Sequence, residues 1–382
     1  MLPTVSIIGA GIGGLHAAIA LQQAGFEVQV FEAAPELRPV GAGIIMAANA
    51  AQIAQRLDYY EELLAAGNPL AWFGVADRHG RPMQVTDIGA IARRYGAPSI
   101  AIHRGALQQV LLRQLRPGTV HTGRRFEALG RHDASGVEVR FADGSTVQSD
   151  ILIGADGLRS AVRQALFGDT PLRYSGQTCW RAILDHRLED PSRAVELWGS
   201  TGGKRVAMIQ VNAEQVYMYF TLKSQPGLRH DPAQAPAMLR AQLQEFPAWY
   251  GELAGACRPE ALHHGDLSDL KPIPAWHRGR VLLLGDAAHA TTPNLGQGGC
   301  QAVEDAWTLA QLLRRQPDPA LAFPEFARLR RPKVDYVVRT SWMLGQVSNY
   351  GGWLAPLRNA LLRAAPGTVA ERQMDRLLRI KP

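Results

Sequence analysis

Short, unbroken apolar runs recur along the chain: "TVSII" at Thr4–Ile8, "ILI" at Ile151–Ile153 and "VLLL" at Val281–Leu284, each followed by glycine. Runs this short, without polar alternation, predict strands covered on both faces, as in a parallel sheet flanked by helices. After the first run, a 3.6-residue period over about Gly13 to Ala24, stopped by Gly25, predicts a helix, and "EVQVF" from Glu27 predicts the returning strand. The chain therefore opens as a βαβ unit. A second helix is expected in "HRGALQQVLLRQL", where Leu107, Val110, Leu111 and Leu115 share one face.

Elsewhere the period falls to two. "VEVRFADGSTV" reads as a hairpin turning at Asp143-Gly144. Between roughly 172 and 270, "TCWRAIL", "AVELWG", "KRVAMIQV" and "QVYMYFTL" read as neighbouring strands of one larger antiparallel sheet. Alternation puts Arg205, Ala207, Ile209 and Val211 on one side of their strand, and Tyr217, Tyr219 and Thr221 together on the next. From about Tyr336 the chain is helical and arginine-rich, punctuated by Pro356 and Pro366. The expected division is a discontinuous nucleotide-binding domain (1–71, 100–171 and 272–335), an inserted antiparallel-sheet domain (72–99 and 172–271) and a C-terminal helical segment (336–382).

Composition narrows the function classes. The first strand begins almost at Met1, and no window nears ~18 uninterrupted apolar residues, so a cytoplasmic protein is expected. Cys179, Cys257 and Cys300 are far apart and lack a C-x-x-C, which argues against a disulfide framework, a zinc site or a redox dithiol. No His/Cys/Asp cluster has ligand spacing, so no metal is expected. A formal charge of +7 without a basic, aromatic-interleaved run gives no reason to expect nucleic acid as a partner.

Three motifs carry the chemistry. In Gly9-x-Gly11-x-x-Gly14, Gly9 permits the tight turn, Gly11 lets backbone approach a pyrophosphate and Gly14 lets helix pack on strand. Glu32 follows at the distance that suits ribose hydroxyls, and Ala33 offers no charge for a 2′-phosphate, so the site suits FAD or NAD rather than NADP. In "GDAAHATTPNLGQGG", Asp286 ends a buried run where a carboxylate needs hydroxyl or N–H partners. Beyond Pro293, residues Gly296, Gln297, Gly298 and Gly299 open an amphipathic helix whose start favours an adjacent anion. His289 in this stretch reads as a packed, hydrogen-bonded histidine. The third motif is "GADGLRSAVR": Asp156 and Gly157 end a buried strand, where Asp156 could serve a cofactor or cap a helix with Arg163 paired to it.

In this order and spacing the motifs resemble the class A flavoprotein monooxygenases, the FAD-dependent aromatic hydroxylases, over nearly the whole chain. The resemblance implies an α/β fold: a Rossmann-like FAD-binding domain, an inserted antiparallel-sheet substrate domain and a C-terminal helical segment. It implies non-covalent FAD held by Gly9, Gly11, Gly14, Glu32, Asp156, Gly157, Gly285 and Asp286. Pro293 and the amides from Gly296 to Gly299 would lie beside the flavin ring. "IHRGALQQVL" looks like the family's arginine segment, making Arg104 a phosphate or ribityl ligand; Arg38 and "GAGI", Gly41 to Ile44, match its flavin-approaching loop. NADH or NADPH would visit as reductant, and oxygen would reach an electron-rich ring through a flavin C4a-hydroperoxide.

"SGQTCWRAILDHRLED", "GKRVAMIQVNAEQVYMYFTLK" and "TPNLGQG" resemble the alkylquinolone-hydroxylating members most, which implies 3-hydroxylation of a 2-alkyl-4-quinolone. Urate-hydroxylating members are also similar and would place catalytic roles on Arg205 and Tyr217, but they carry an acid where this chain has Asn294. Phenol-type and polycyclic-antibiotic hydroxylases, or an FAD reductase that inserts no oxygen, are the other readings. Trp180 and Arg181 are further pocket candidates. The tail from Gly351 reads as a helical cap, with peripheral membrane contact through Trp353, Leu354, Leu357, Leu361 and Leu362 as the alternative. A monomer or homodimer is expected.

Overall fold

The computed structural model describes residues 2–37, 41–365 and 367–380. Its centre is a six-stranded sheet in the order His277–Arg278, Val281–Leu283, Ile151–Gly154, Thr4–Ile8, Glu27–Phe31, Val120–His121. Every neighbouring pair is parallel except the outer His277–Arg278 hairpin edge. The apolar runs are buried as their patterning requires: Ile7, Ile153 and Leu282 are all inaccessible. The first helix spans Ile12–Gln23, within a residue of expectation, and Gly25 follows it at φ +93°, a left-handed stop that glycine adopts without a Cβ clash. This helix packs against a long helix, Gly298–Arg315. The Arg104–Arg113 helix buries Leu107, Val110 and Leu111; Leu115 lies just beyond its end.

The second sheet has seven strands, ordered His263–Leu270, Leu172–Asp185, Gln215–Lys223, Arg205–Gln210, Arg193–Trp198, Trp72–Asp77, Pro82–Asp87. The four runs read from the sequence are indeed neighbours in an antiparallel array. One pair, Arg193–Trp198 with Trp72–Asp77, is parallel, a long-range pairing that alternation alone does not reveal. One face of the sheet, with Trp180, Val206, Met208, Met218 and Phe220, packs under the helices Ala235–Gln242 and Ala248–Gly255. The other face, with Ala207, Ile209, Tyr217 and Tyr219, meets the strands Gly43–Met46 and Ser99–His103, which pair in a small third sheet. That seam between two sheets borders the candidate site.

The Asp143-Gly144 turn is formed as expected, with Gly144 at φ +83° between paired strands. Tyr336, where the helical tail was expected to begin, instead lies well inside one thirty-residue helix, Pro319–Ser348. This helix carries the chain from the nucleotide side to the seven-stranded sheet, where Gly203 N–H donates to Ser348 O and Gln177 Nε2 to Ser348 Oγ. Helices Ala355–Ala364 and Gly367–Leu378 follow, the first against the Pro82–Asp87 strand and the second against the long helix. Among the described residues no helix is long and apolar enough to cross a membrane.

Candidate active site

The glycine turn does what its spacing requires. A Cβ on Gly14 would stand 1.9 Å from the Gly9 carbonyl oxygen, and one on Gly9, itself at φ +104°, would stand 2.5 Å from Ala155 O. Both positions are therefore closed to larger residues by packing. Gly11 is different: a Cβ there would meet nothing within 4 Å, so its backbone faces open space at the start of the Ile12–Gln23 helix, which has no side-chain cap. Uncapped N–H groups at a bare turn are a ready seat for a phosphate. Glu32 sits across the turn, accepting Ala10 N–H and Ala34 N–H at 2.9 Å each, with lone pairs to spare for hydroxyl donors. Gly11, Glu32, Gly41, Arg104 and Gln108 line one cleft of about 720 Å³.

Arg104 opens its helix beside Gly41, its N–H donating to Ala42 O, and its exposed guanidinium has no carboxylate partner among the described residues. Arg38, expected on the same loop, lies outside the described residues. Asp286 follows Gly285, whose φ of +59° turns the chain out of the Val281–Leu283 strand. The Asp286 carboxyl lies deep among protein atoms, which pushes its pKa up against the lowering fields of His289 and Arg104. The residue is nevertheless exposed, and its side chain takes no hydrogen bond among the described residues. A carboxylate in that setting is an acceptor still waiting for donors.

Next to it, Pro293–Leu295 forms a single 3₁₀ turn ended by Gly296 at φ +61°, and the Gly298–Arg315 helix begins with no side-chain cap. The helix start is close-packed: a Cβ on Gly299 would meet Ile44 Cδ1 at 2.9 Å, and one on Gly298 would lie 3.8 Å from Asp286 Oδ1. Gln297 turns its side chain inward, its Oε1 accepting Asn49 Nδ2 and Gln301 Nε2. Asp156 accepts Ser160 Oγ and Val162 N–H, and burial raises its pKa. Ser160, not Asp156, caps the following helix. Arg163 does not bond to Asp156 either: its guanidinium serves Thr170 Oγ1, Leu158 O and Ala287 O, tying this helix to the Asp286 segment. Gly157, at φ +80°, turns the backbone between them.

These residues fit FAD. An open glycine turn with Glu32 beside it suits the ADP half, the partnerless Asp286 suits the ribityl hydroxyls, and the bare helix start at Gly298 suits the flavin's anionic edge.

On the sheet face across the seam, Arg205 and Tyr217 do share a side, but they are not in contact. Arg205 pairs in register with Thr221, and Ile209 with Tyr217, which leaves three residues of strand between them. Tyr219 fills the interval, its ring 5.6 Å from that of Tyr217 and its hydroxyl 2.6 Å from Glu196 Oε2. Glu196 is buried, 3.6 Å from Arg205 Nη1, and also accepts Trp198 Nε1. Arg205 Nε donates to Thr221 Oγ1 and Nη2 to Gln177 Oε1. Tyr217 packs so tightly on Gly43 that a Cβ there would stand 2.4 Å from the tyrosine Cβ. Burial drives the Tyr217 phenol far up, with the hydrogen-bonded Arg181 opposing it. Trp180 faces away, stacked on His264 in the opposite core.

Sequence reasoning missed Glu196 and, although it put Tyr219 on the same face as Tyr217, gave that tyrosine no role. The available signal was a lone carboxylate inside an otherwise apolar strand, "AVELW". It also missed a buried network behind the flavin side. Arg330 bonds Asp305 Oδ1 at 2.6 Å and Glu304 Oε2 at 2.7 Å, Lys333 bonds Glu304, and Asp305 accepts Gly285 N–H and His289 Nε2. His289 is thus packed and hydrogen-bonded, as expected. Although burial alone would raise it, the Asp305 carboxyl is held at about 2 by His289 and Arg330.

Asn294, in the turn before the Gly298–Arg315 helix, packs against the Pro319–Ser348 helix. Its Nδ2 donates to Thr292 Oγ1 and Ser341 O, and its buried Oδ1 has no partner.

Residues 3–321 match the family described as FAD binding domain. The chain is 36% identical to 2-heptyl-3-hydroxy-4(1H)-quinolone synthase of Pseudomonas aeruginosa over 98% of this chain and 97% of that protein. It is equally identical, at 36%, to FAD-dependent urate hydroxylase of Klebsiella pneumoniae over 86% of each. Its backbone superposes on K. pneumoniae HpxO complexed with FAD and uric acid with a TM-score of 0.90 and 31% identity, covering 98% of this chain and 97% of that one. The open turn, the partnerless Asp286 and these likenesses lead to one conclusion: the chain belongs to the class A flavoprotein monooxygenases and is an FAD-dependent hydroxylase.

Proposed function

We propose that the protein hydroxylates a 2-alkyl-4-quinolone-like substrate at carbon 3, with NADH or NADPH as reductant. Asn294 is the observation that carries this reading. A purine that must give up a proton calls for a carboxylate at this position, whereas an amide is neutral at every pH of interest. With both Nδ2 donors engaged by Thr292 and Ser341, Asn294 offers only its unpartnered Oδ1, an acceptor for a ring N–H. The facing wall of Ala207, Ile209, Tyr217 and Tyr219 suits a flat ring with little polar edge.

Bound FAD, once reduced, supplies the activated oxygen. The protein's part is positional and electrostatic. In this reading the amides opening the Gly298–Arg315 helix hold the flavin's negative edge, and Arg104 and Gly11 hold its phosphates. Arg205 and the Tyr217 hydroxyl orient the substrate's ring oxygen from opposite ends of the wall. Ile209 and the two tyrosines exclude water, which strengthens each polar contact inside. The assignment of the six-stranded-sheet part to flavin and of the seven-stranded sheet to substrate belongs to the same proposal.

Urate hydroxylation is the second reading, favoured by the likeness to HpxO bound to uric acid. Parallel assays separate the two: NAD(P)H oxidation and oxygen uptake are measured with 2-heptyl-4-quinolone and with urate. The quinolone should stimulate both and yield a product one oxygen atom heavier. Stimulation by urate alone transfers the assignment to the purine.

A further inference from the structure

We propose that a basic groove along the C-terminal half of the Gly298–Arg315 helix binds a soluble polyphosphate, of which a nucleoside di- or triphosphate is the natural form. The groove has a volume of about 1010 Å³, and eight arginine or lysine side chains line it against two acids, Glu304 and Asp375. Three of the cations are already matched: Arg330 and Lys333 by the Glu304–Asp305 pair, and Arg94 by Asp375. Five remain without a carboxylate partner among the described residues: Arg56, Arg315, Arg372, Arg376 and Arg379.

Like charges gathered in one concavity repel one another, and low-dielectric walls focus their field, so such a groove favours a multiply charged anion. The residue type sharpens the class. All five are arginines, whose planar forks match phosphate oxygens two at a time. Two are braced by rings: Arg56 lies 5.4 Å over Trp307, and Arg376 lies 3.7 Å over Tyr336. A guanidinium stacked on a ring keeps its N–H edge free and loses less freedom on binding. Trp307 also lines the cavity, giving a base an aromatic wall, and the volume is ample for a nucleotide.

The groove is distinct from the flavin cleft and shares none of its lining residues. Glu304 to Arg315 lie roughly 9 to 26 Å along the helix from Gly298, beyond hydride reach of a flavin held there. The ligand is therefore an effector rather than the reductant. The inference is also independent of which ring the enzyme hydroxylates.

The test uses the FAD-loaded protein, whose own pyrophosphate seat is filled. Tripolyphosphate and ADP are titrated calorimetrically at low salt, beside a centrifugation assay with anionic phospholipid vesicles. One saturable, salt-sensitive site per chain is expected for tripolyphosphate and ADP. The double variant Arg315→Glu/Arg379→Glu, at two exposed positions, should weaken both by at least about tenfold with flavin spectrum and melting temperature unchanged. Arg372→Ala/Arg376→Ala provides a second variant should the first fail to fold. Absence of binding at millimolar probe, equal binding by the folded variant, or capture by vesicles without tripolyphosphate binding each overturns the proposal.

Discussion

Glu196 and Arg205 stand 3.6 Å apart on adjacent strands, both buried in the face that looks across the seam. Breaking such a pair leaves one charge uncompensated. Arg205→Ala should therefore destabilise the fold by about 3–5 kcal/mol, measured by chemical denaturation. Glu196→Gln/Arg205→Gln should recover much of that loss. If Arg205 also orients substrate, the recovered protein will still hydroxylate poorly while retaining flavin; full turnover in the double variant removes Arg205 from the reaction.

The phenol of Tyr217 can be separated from its ring. Tyr217→Phe keeps the packing on Gly43, so flavin content and melting temperature should hold while the fraction of NAD(P)H oxidation coupled to product falls. Gly43→Ala does the reverse. Its new Cβ would overlap the tyrosine at 2.4 Å, so a stability loss of about 1–3 kcal/mol is expected, with the phenol intact but displaced.

Asp286 has no protein partner to lose, so removing it should not harm the apoprotein. Asp286→Ala is expected to leave the apo melting temperature within a degree or so of the parent, yet weaken FAD by about 10- to 100-fold, the value of one or two charge-assisted hydrogen bonds. Fluorescence titration of the apoprotein with FAD reads this directly. Unchanged affinity would mean that the ribityl chain lies elsewhere.

The Asp305 carboxyl predicts an acid limb of stability. Its pKa falls from 3.8 unfolded to about 2 folded. A depressed carboxylate contributes stability that is complete above the unfolded value and lost as pH drops through the folded one. The loss should run between about pH 5 and pH 2 and amount to on the order of 2 kcal/mol. Asp305→Asn should flatten that limb in denaturation midpoints measured across the range. Arg330→Met should be severely destabilising at neutral pH, since it strands Glu304 and Asp305 together.

What could be read from sequence follows from how local each cause is. The Gly9–Gly14 turn, the Asp143-Gly144 hairpin and the inward side of "KRVAMIQV" depend on φ preferences and on period two, which act over a few residues. Arg163 shows the limit: adjacency suggested Asp156, but its partners include Ala287, 124 residues away. Glu196 was hidden because its role depends on Tyr219 and Arg205 on other strands. The arginine groove was invisible for the same reason. Its residues are spread from Arg56 to Arg379 and meet only when five helices pack.

The central claim, that oxygen from the gas phase is inserted into substrate at this flavin site, has a direct measurement. The FAD-loaded protein is turned over with NAD(P)H and 2-heptyl-4-quinolone under isotopically heavy oxygen gas in ordinary water, and the product is weighed by mass spectrometry. One heavy oxygen atom in the product is the predicted result; a product labelled only from water, or oxidised without gaining oxygen, would contradict it.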